Sequence, residues 1–149
     1  MIKKITISTG KRKRAIATAI IRPGNGKVHI NGIPIELWPI EMARLKMMEP
    51  LLLAGAKIRS QVDIRIKVKG GGFMGQADAV RMAIARGLVE HFRCEGEDEE
   101  CKRMNALSQA LKQIFEEYDR TMLAGDQRRT EPEKYMRYSA RRRWQKSYR

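Results

Sequence analysis

The chain has 149 residues, the usual size of a single domain. It carries 31 Lys and Arg against 17 Asp and Glu, a formal net charge of +14, and 42% of its residues are hydrophobic. The longest apolar stretch, Leu51–Ala56, is far shorter than the ~20 residues of a membrane-spanning helix, and no apolar run follows the first charges. We therefore expect a soluble intracellular protein with one modest core and neither a spanning segment nor a secretory signal.

The positive charge is concentrated at the two ends of the chain. Residues 1–27 contain eight basic side chains and no acid, residues 28–118 contain 13 of each, and residues 119–149 contain ten basic and four acidic ones. The last sixteen residues hold seven cations and no anion, so this segment repels itself and buries little surface. We expect it to need a polyanion to take a defined shape.

The N-terminal quarter predicts strands joined by tight turns, from alternating apolar residues, β-branched content and turn residues. In chain order the segments are a strand at Ile5 and Ile7, a second over Ala15–Arg22, the turn Pro23–Gly26, a return strand at Val28–Ile30, and a tight turn at Asn31-Gly32 leading into Ile33–Ile35.

A short helix and a clear strand are predicted next. The helix runs from Ile40 to Met48, and Pro50 ends it because proline lacks the amide hydrogen and crowds the preceding turn. Residues 51–57 are predicted to add a further turn or two of helix. The clearest strand follows at 62–69, where apolar residues alternate with Asp63, Arg65, Lys67 and Lys69, so that one face is apolar and the other mostly cationic.

The C-terminal half predicts two long helices, over 76–92 and 104–118, each with apolar residues at helical spacing. The acid-rich segment Cys94–Cys101 between them is predicted to be a solvated loop. After Gly125 no periodicity remains. We predict an α+β fold, a mostly antiparallel sheet with helices on one face. The globular domain is expected over residues 1–124 and an extended basic tail over residues 125–149.

Residues 70–75, Gly-Gly-Gly-Phe-Met-Gly, match the G-x-G-x-x-G pattern of dinucleotide-binding folds. That fold also needs a second parallel strand that ends in an acid about 20 residues later, whereas a helix and an acidic loop are predicted there. No Gly-Lys-Ser or Gly-Lys-Thr triplet is present either. We favour a glycine turn that allows close packing, or close approach of a backbone phosphate, over nucleotide binding.

Residues suited to catalysis or metal binding are few. His29 and His91 have no evident nucleophile or metal partner nearby in sequence, so each is interpreted as a surface or packing histidine. Cys94 and Cys101 are expected to be reduced thiols, as in most intracellular proteins. We expect no metal, no cofactor and no enzymatic activity.

Three groups of cations favour a nucleic-acid partner. They are Lys11 to Arg14, the strand residues Arg65, Lys67 and Lys69, and the tail, where four aromatics (Tyr135, Tyr138, Trp144 and Tyr148) are interleaved with arginine and lysine. Cations neutralise phosphates, and aromatic rings stack on unpaired bases. A membrane is disfavoured because no helical periodicity places these aromatics on one face. RNA is favoured over DNA because no helix carries the basic and amide residues that read a major groove.

The segment from Gly70 to Leu88 resembles the signature of the small-ribosomal-subunit protein family number nine. The resemblance rests on three glycines, then Gln76-Ala77-Asp78-Ala79, and small residues around Arg86. The opening from Gly10 to Gly32 and the terminus Gln145–Arg149 are also similar to that family, in its archaeal and eukaryotic form.

The resemblance implies a structural protein that binds ribosomal RNA in the head of the small subunit, beside neighbouring head proteins. It also implies a left-handed crossover between parallel strands, an exception to the usual hand. The tail would contact the anticodon arm of the peptidyl-site tRNA through Lys146 and Arg149. The residues expected to face ribosomal RNA are Lys11, Arg12, Lys13, Arg14, Arg65, Lys67, Lys69, Gly70, Gly71, Gly72, Arg128, Arg129, Arg137, Arg141, Arg142 and Arg143.

Two alternatives stay open at this point. One is a free RNA-binding chaperone, which would wash off ribosomal subunits in high salt. The other is a nucleotide-dependent enzyme that uses residues 70–75.

Overall fold

Five strands form one sheet in a computed structural model that describes residues 5–94, 96 and 98–148. The strands are β1 (Thr6–Arg12), β2 (Ala15–Pro23), β3 (Val28–Ile30), β4 (Ile33–Pro34) and β5 (Val62–Lys69). Their order across the sheet is β1-β2-β5-β3-β4. All neighbours are antiparallel except β3 and β5, which run parallel and are connected through β4 and the helical segment between residues 35 and 59. The predicted α+β class with a mostly antiparallel sheet is confirmed.

The helices pack on one face of this sheet. They are α1 (Glu41–Ala54), α2 (Ala56–Arg59), α3 (Phe73–His91), α4 (Glu99–Tyr118) and α5 (Thr121–Ala124), with a single 3-10 turn at Ile35–Leu37. The long helix α3 lies directly on β1 and β2, and α1, α4 and α5 contact α3. The core therefore lies between the sheet and α3. No described helix has the length and apolar character that crossing a bilayer requires.

Small residues allow α3 to approach β1 and β2 closely. A Cβ atom at Gly10 would collide with the carbonyl oxygen of Ala79 and the amide nitrogen of Ala83. The buried hydroxyl of Ser8 donates a hydrogen bond of 2.6 Å to the Ala83 carbonyl. Seven of the buried residues in β2 and α3 are alanines: Ala15, Ala17 and Ala19 in β2, and Ala77, Ala79, Ala83 and Ala85 in α3.

The predicted first strand exists, but its isoleucines point away from the helices. Ile5 and Ile7 are 55% and 66% exposed, whereas Thr6 and Ser8 are buried. The reason is the short distance between α3 and β1, which leaves room only for small side chains on the helix-covered face. Strand register then places every second residue, including Ile7, on the open face.

The prediction that Pro50 ends a helix is wrong, because α1 continues through Pro50 to Ala54. Proline inside a helix costs about 3 kcal/mol. Pro50 is itself buried, as are Met47 and Leu51 of the same helix, which belong to the core. Burying each such apolar side chain contributes about 1.5–3 kcal/mol, so tertiary packing offsets the lost backbone hydrogen bond.

The expectation of reduced thiols is also wrong, since Cys94 and Cys101 form a disulfide with Cα atoms 5.3 Å apart. The side chain of Asn105 accepts a hydrogen bond from the Cys94 amide and donates one to the Cys94 carbonyl, at 2.8 and 2.9 Å. These bonds hold the end of α3 against α4 and bring the two cysteines within bonding range. The predicted acidic loop is shorter than expected, because α4 begins at Glu99. Glu95 and Glu97 lie outside the described residues.

We predict that replacing both cysteines by serine lowers the free energy of unfolding by about 2–3 kcal/mol, because the unfolded chain regains the freedom of an eight-residue loop. Denaturant unfolding of the oxidised protein and of the double variant measures the difference. Reductant should destabilise the natural chain and leave the serine variant unchanged. Equal stability of the two oxidised samples would contradict the prediction.

Candidate nucleic-acid interface

Cations line the face of the sheet that carries no helix. In β5 the apolar residues are buried, while Arg65, Lys67 and Lys69 are exposed, as their alternation predicts. Lys11 of β1 lies on the same face, since it pairs with Ile16 of β2, which in turn pairs with Lys69. We call Lys11, Arg65, Lys67 and Lys69 the basic face. Its charges are solvated and directed away from the core.

Two more cations occupy the turn at one end of the basic face. Lys13 and Arg14 connect β1 to β2, and both are exposed. Lys13 has a φ of 52°, in the left-handed region that non-glycine residues rarely adopt. The turn therefore fixes these two charges beside the ends of β1 and β5.

The glycine loop lies against this turn. Gly70 and Gly71 have φ values of 74° and 67°. A Cβ atom on Gly70 would lie 2.5 Å from the carbonyl oxygen of Arg14, and one on Gly71 would lie 2.9 Å from Ala15. The glycines are thus required both by backbone conformation and by close packing.

The start of α3 follows the glycine loop without a side-chain cap at Gly72. The Gln76 side chain reaches back and donates a hydrogen bond of 3.1 Å to the Gly70 carbonyl. In the described part of the chain no strand follows α3, because the next long element is α4. The second parallel strand of a dinucleotide-binding fold is therefore missing there, and the glycines are explained by packing.

A single guanidinium holds the point where the tail leaves the globular part. Arg86 of α3 donates hydrogen bonds to the carbonyls of Leu123, Ala124 and Thr9, at 2.7, 3.1 and 3.0 Å. Thr9 belongs to β1, the edge strand of the sheet. Arg86 thus ties the last turn of helix to the sheet edge immediately before Gly125.

Arg12 points to the helix-covered side and joins an ion-pair cluster. It lies 3.0 Å from Asp126 and 3.6 Å from Asp78, and Lys46 lies 2.7 Å from Asp78. Hydrogen bonds from Arg128 lower the pKa of Asp126 to about 2, and the charge of Arg12 adds to this effect. The charge of Arg12 is therefore largely compensated by carboxylates of the protein, whereas Lys11 and Lys13 are exposed to solvent.

The start of the tail returns to the β1–β2 turn. The Arg129 guanidinium donates a hydrogen bond to the carbonyl oxygen of Lys13, although 116 positions separate the two residues. Arg128 and Arg129 are consequently brought beside Lys13. The first and third cation groups of the sequence meet at this place.

The distal tail makes contacts mainly with itself. Arg141 binds Glu131 through two hydrogen bonds of 2.6 and 3.1 Å, and this contact lowers the pKa of Glu131. The rings of Tyr138 and Trp144 lie 5.9 Å apart, and the Arg142 guanidinium lies 5.6 Å from the Tyr138 ring. Arg137 and Arg143 form an isolated bridge. Lys146 is exposed, and Arg149 lies outside the described residues.

The remaining candidate residues have structural surroundings. His91 is buried and its Nδ1 lies 3.1 Å from the Thr6 hydroxyl, which confirms it as a packing histidine. His29 is half-buried in β3. Within residues 5–94, 96 and 98–148, no group of three or more His, Cys, Asp or Glu side chains is placed to hold a metal ion.

Sequence reasoning missed the function of Arg86 and Asp126. Arg86 belongs to the segment that resembles a family signature, but nothing in its spacing indicates that it binds three carbonyls. Asp126 stands as a single acid beside two arginines, and an Asp two residues before an Arg is a weak signal.

Comparison with known proteins gives a consistent result. The family model described as ribosomal protein S9/S16 matches residues 10–149. A protein of Aeropyrum pernix named small ribosomal subunit protein uS9 is 72% identical over 149 residues, 99% of each chain. Proteins with the same name are 56% identical in Saccharolobus solfataricus, over 99% of this chain and 97% of that one, and 49% identical in Halobacterium salinarum, over 97% and 99%.

We predict that Arg86→Lys loosens the start of the tail while leaving the core folded. A lysine ammonium keeps the charge but does not reach three carbonyls from one planar group. Hydrogen exchange of the Gly125 amide, which donates to Thr121, should accelerate about tenfold or more. The matched control is Arg103→Lys on the exposed side of α4. Unchanged exchange at Gly125 would contradict the assigned contact.

Proposed function

Because this chain belongs to the ribosomal protein S9/S16 family, we propose that it is a structural, non-catalytic component of the small ribosomal subunit in the cytoplasm. In this proposal it binds ribosomal RNA in the head of the subunit, and its C-terminal tail contacts the anticodon arm of the peptidyl-site tRNA. The relatives are named as small-subunit proteins and cover nearly the whole chain, which supports the first part. The RNA contacts are supported by the surface chemistry.

One observation carries the RNA-binding part, namely that cations distant in sequence converge on one end of the sheet. The basic face, the β1–β2 turn and the start of the tail adjoin there, and Arg129 connects the last two. RNA phosphates are spaced along a backbone, so a row of lysine and arginine side chains neutralises several of them and releases counterions. Lys67 and Lys69 of β5 are both exposed, so their charges are available to phosphates.

The tail supports the tRNA contact by its composition and its position. Beyond Gly125 it has no helix in the described residues, and it carries exposed Tyr135, Tyr148 and Lys146. Such a segment of mixed aromatics and cations fits a single-stranded or looped RNA, where bases are available for stacking. In our proposal Lys146 and Arg149 bind phosphates of the tRNA.

Neighbouring head proteins are a further partner in this proposal. Leu37 of the 3-10 turn and Met42 and Leu52 of α1 are 71%, 69% and 64% exposed. Exposed apolar side chains are available for protein contacts, which supports this part of the proposal.

We predict that Lys67→Gln combined with Lys69→Gln weakens binding to small-subunit ribosomal RNA and reduces its salt dependence. The slope of log affinity against log salt should fall by about 1.5, because two phosphate contacts are lost. The matched control is Lys102→Gln with Lys112→Gln, which removes the same charge from exposed positions on α4. If both double variants change the slope equally, the basic face has no special role.

Deleting residues 146–149 should leave subunit assembly intact and make peptidyl-site tRNA dissociate faster. Dissociation rates from particles reconstituted with the full chain and with the deleted chain measure this effect. An unchanged rate would rule out the tRNA contact but leave the RNA-binding role standing. The same particles test the chaperone alternative, because a structural protein stays with the subunit through a high-salt wash and a free chaperone does not.

A further inference from the structure

A small cavity lies between the β1–β2 turn and the start of the tail. Its volume is about 240 Å³, and its walls are Arg12, Lys13, Arg128, Arg129 and Thr130. Four of these residues are cations, one has a hydroxyl group, and none is acidic. We call it the turn–tail cavity.

A neighbouring cavity of about 170 Å³ shows what a structural cluster of charges looks like in the same protein. Its walls include Arg12, Lys46, Arg81 and Arg128, but also Asp78, Asp119 and Asp126. The charges there are nearly balanced and pair with one another. The turn–tail cavity differs because its walls supply no carboxylate. Asp78 and Asp126, which pair with Arg12 and Arg128, line the neighbouring cavity instead.

The three arginines of the turn–tail cavity have partners in the protein before any ligand arrives. Arg128 binds Asp126 through Nε and Nη2, at 2.8 and 2.6 Å, which leaves its Nη1 hydrogens for another acceptor. Arg12 is fixed by its two carboxylates, and Arg129 is fixed on the Lys13 carbonyl. Preorganised donors lose little conformational entropy on binding, so this arrangement favours a specific anion over diffuse attraction.

Arg12 has a further unused donor. Within the described residues, its buried Nη1 atom has no hydrogen-bond partner. A buried donor without an acceptor is unfavourable, and an anion seated beside the Arg12 guanidinium would reduce that cost.

We propose that the turn–tail cavity binds a single phosphate group of the RNA backbone and thereby fixes the start of the tail on bound RNA. The phosphate oxygens accept hydrogen bonds from Lys13, Arg128 and Arg129, and Thr130 supplies a hydroxyl donor. This inference rests on the proposed function, but it is narrower, since it assigns one phosphate to one site built from two distant segments. The phosphate binds to the turn and to the tail at once, and so adds to the contact that Arg129 already makes with the Lys13 carbonyl.

The first arm of the test is a titration of the full-length, isotope-labelled chain with inorganic phosphate, followed by NMR. Saturable shifts are expected at the amides of Lys13, Arg129 and Thr130. Lys13→Gln removes one charge-assisted contact and keeps the carbonyl that holds Arg129, so it should raise the dissociation constant for phosphate about tenfold. Arg103→Gln, the matched control on α4, should leave that constant unchanged.

The second arm separates RNA phosphate from free phosphate. Ribosomal RNA of the small-subunit head is ethylated randomly at its phosphates, and the modified positions that block binding are mapped for the natural chain and for Lys13→Gln. We expect one blocking position to disappear in the variant. An identical map for both chains would overturn the inference, as would phosphate shifts distributed evenly over all basic segments. Complete absence of RNA binding by the natural chain would instead refute the proposed function.

Discussion

The contact between α3 and the β1–β2 pair is the constraint on which the other features depend. Gly10 and the buried alanines of β2 and α3 allow the two backbones to approach closely. The close approach in turn leaves no room for larger side chains. Large side chains of β1 do not fit between the sheet and α3. Strand alternation therefore places Lys11 and the exposed isoleucines on the face of the sheet that carries no helix. The basic face is thus a consequence of how the core is packed.

The same contact determines where the tail begins. Since α3 lies next to the edge strand, Arg86 reaches Thr9 and the end of α5 with one guanidinium. Arg12, at the end of β1, faces α3 and its Asp78 for the same reason. Arginine suits both places because its planar group presents five donors in fixed directions, whereas lysine presents a compact charge. The cations of the basic face proper are mostly lysines, as expected where solvated charge is needed rather than fixed geometry.

Local patterns in the sequence predicted most elements but not the contacts between distant ones. The alternation in β5 predicted both the strand and the cationic side, since period-two patterns record which face is buried. In β1 the strand was predicted correctly, yet the burial of Thr6 and Ser8 depends on the closeness of α3, which has no local signal. The prediction that Pro50 ends a helix was wrong for a related reason. The packing that offsets the cost of a proline inside α1 is tertiary and has no local signal. The Arg129–Lys13 contact joins segments whose proximity is decided only by the whole fold, and the Cys94–Cys101 disulfide depends on how the end of α3 meets α4.

The energetics of the distal tail indicate why its shape must depend on a partner. Its internal contacts include an exposed ion pair between Arg141 and Glu131, one aromatic pair, one cation–π contact and the isolated bridge between Arg137 and Arg143. An exposed ion pair contributes little to stability, whereas ordering the backbone of one residue costs about 1–2 kcal/mol. A few such contacts do not hold a segment of nearly twenty residues in one conformation. The start of the tail is different, because Arg86, Arg12 and Arg129 attach it to the folded domain. The part beyond residue 130 therefore needs a partner to take one shape, and in our proposal that partner is RNA.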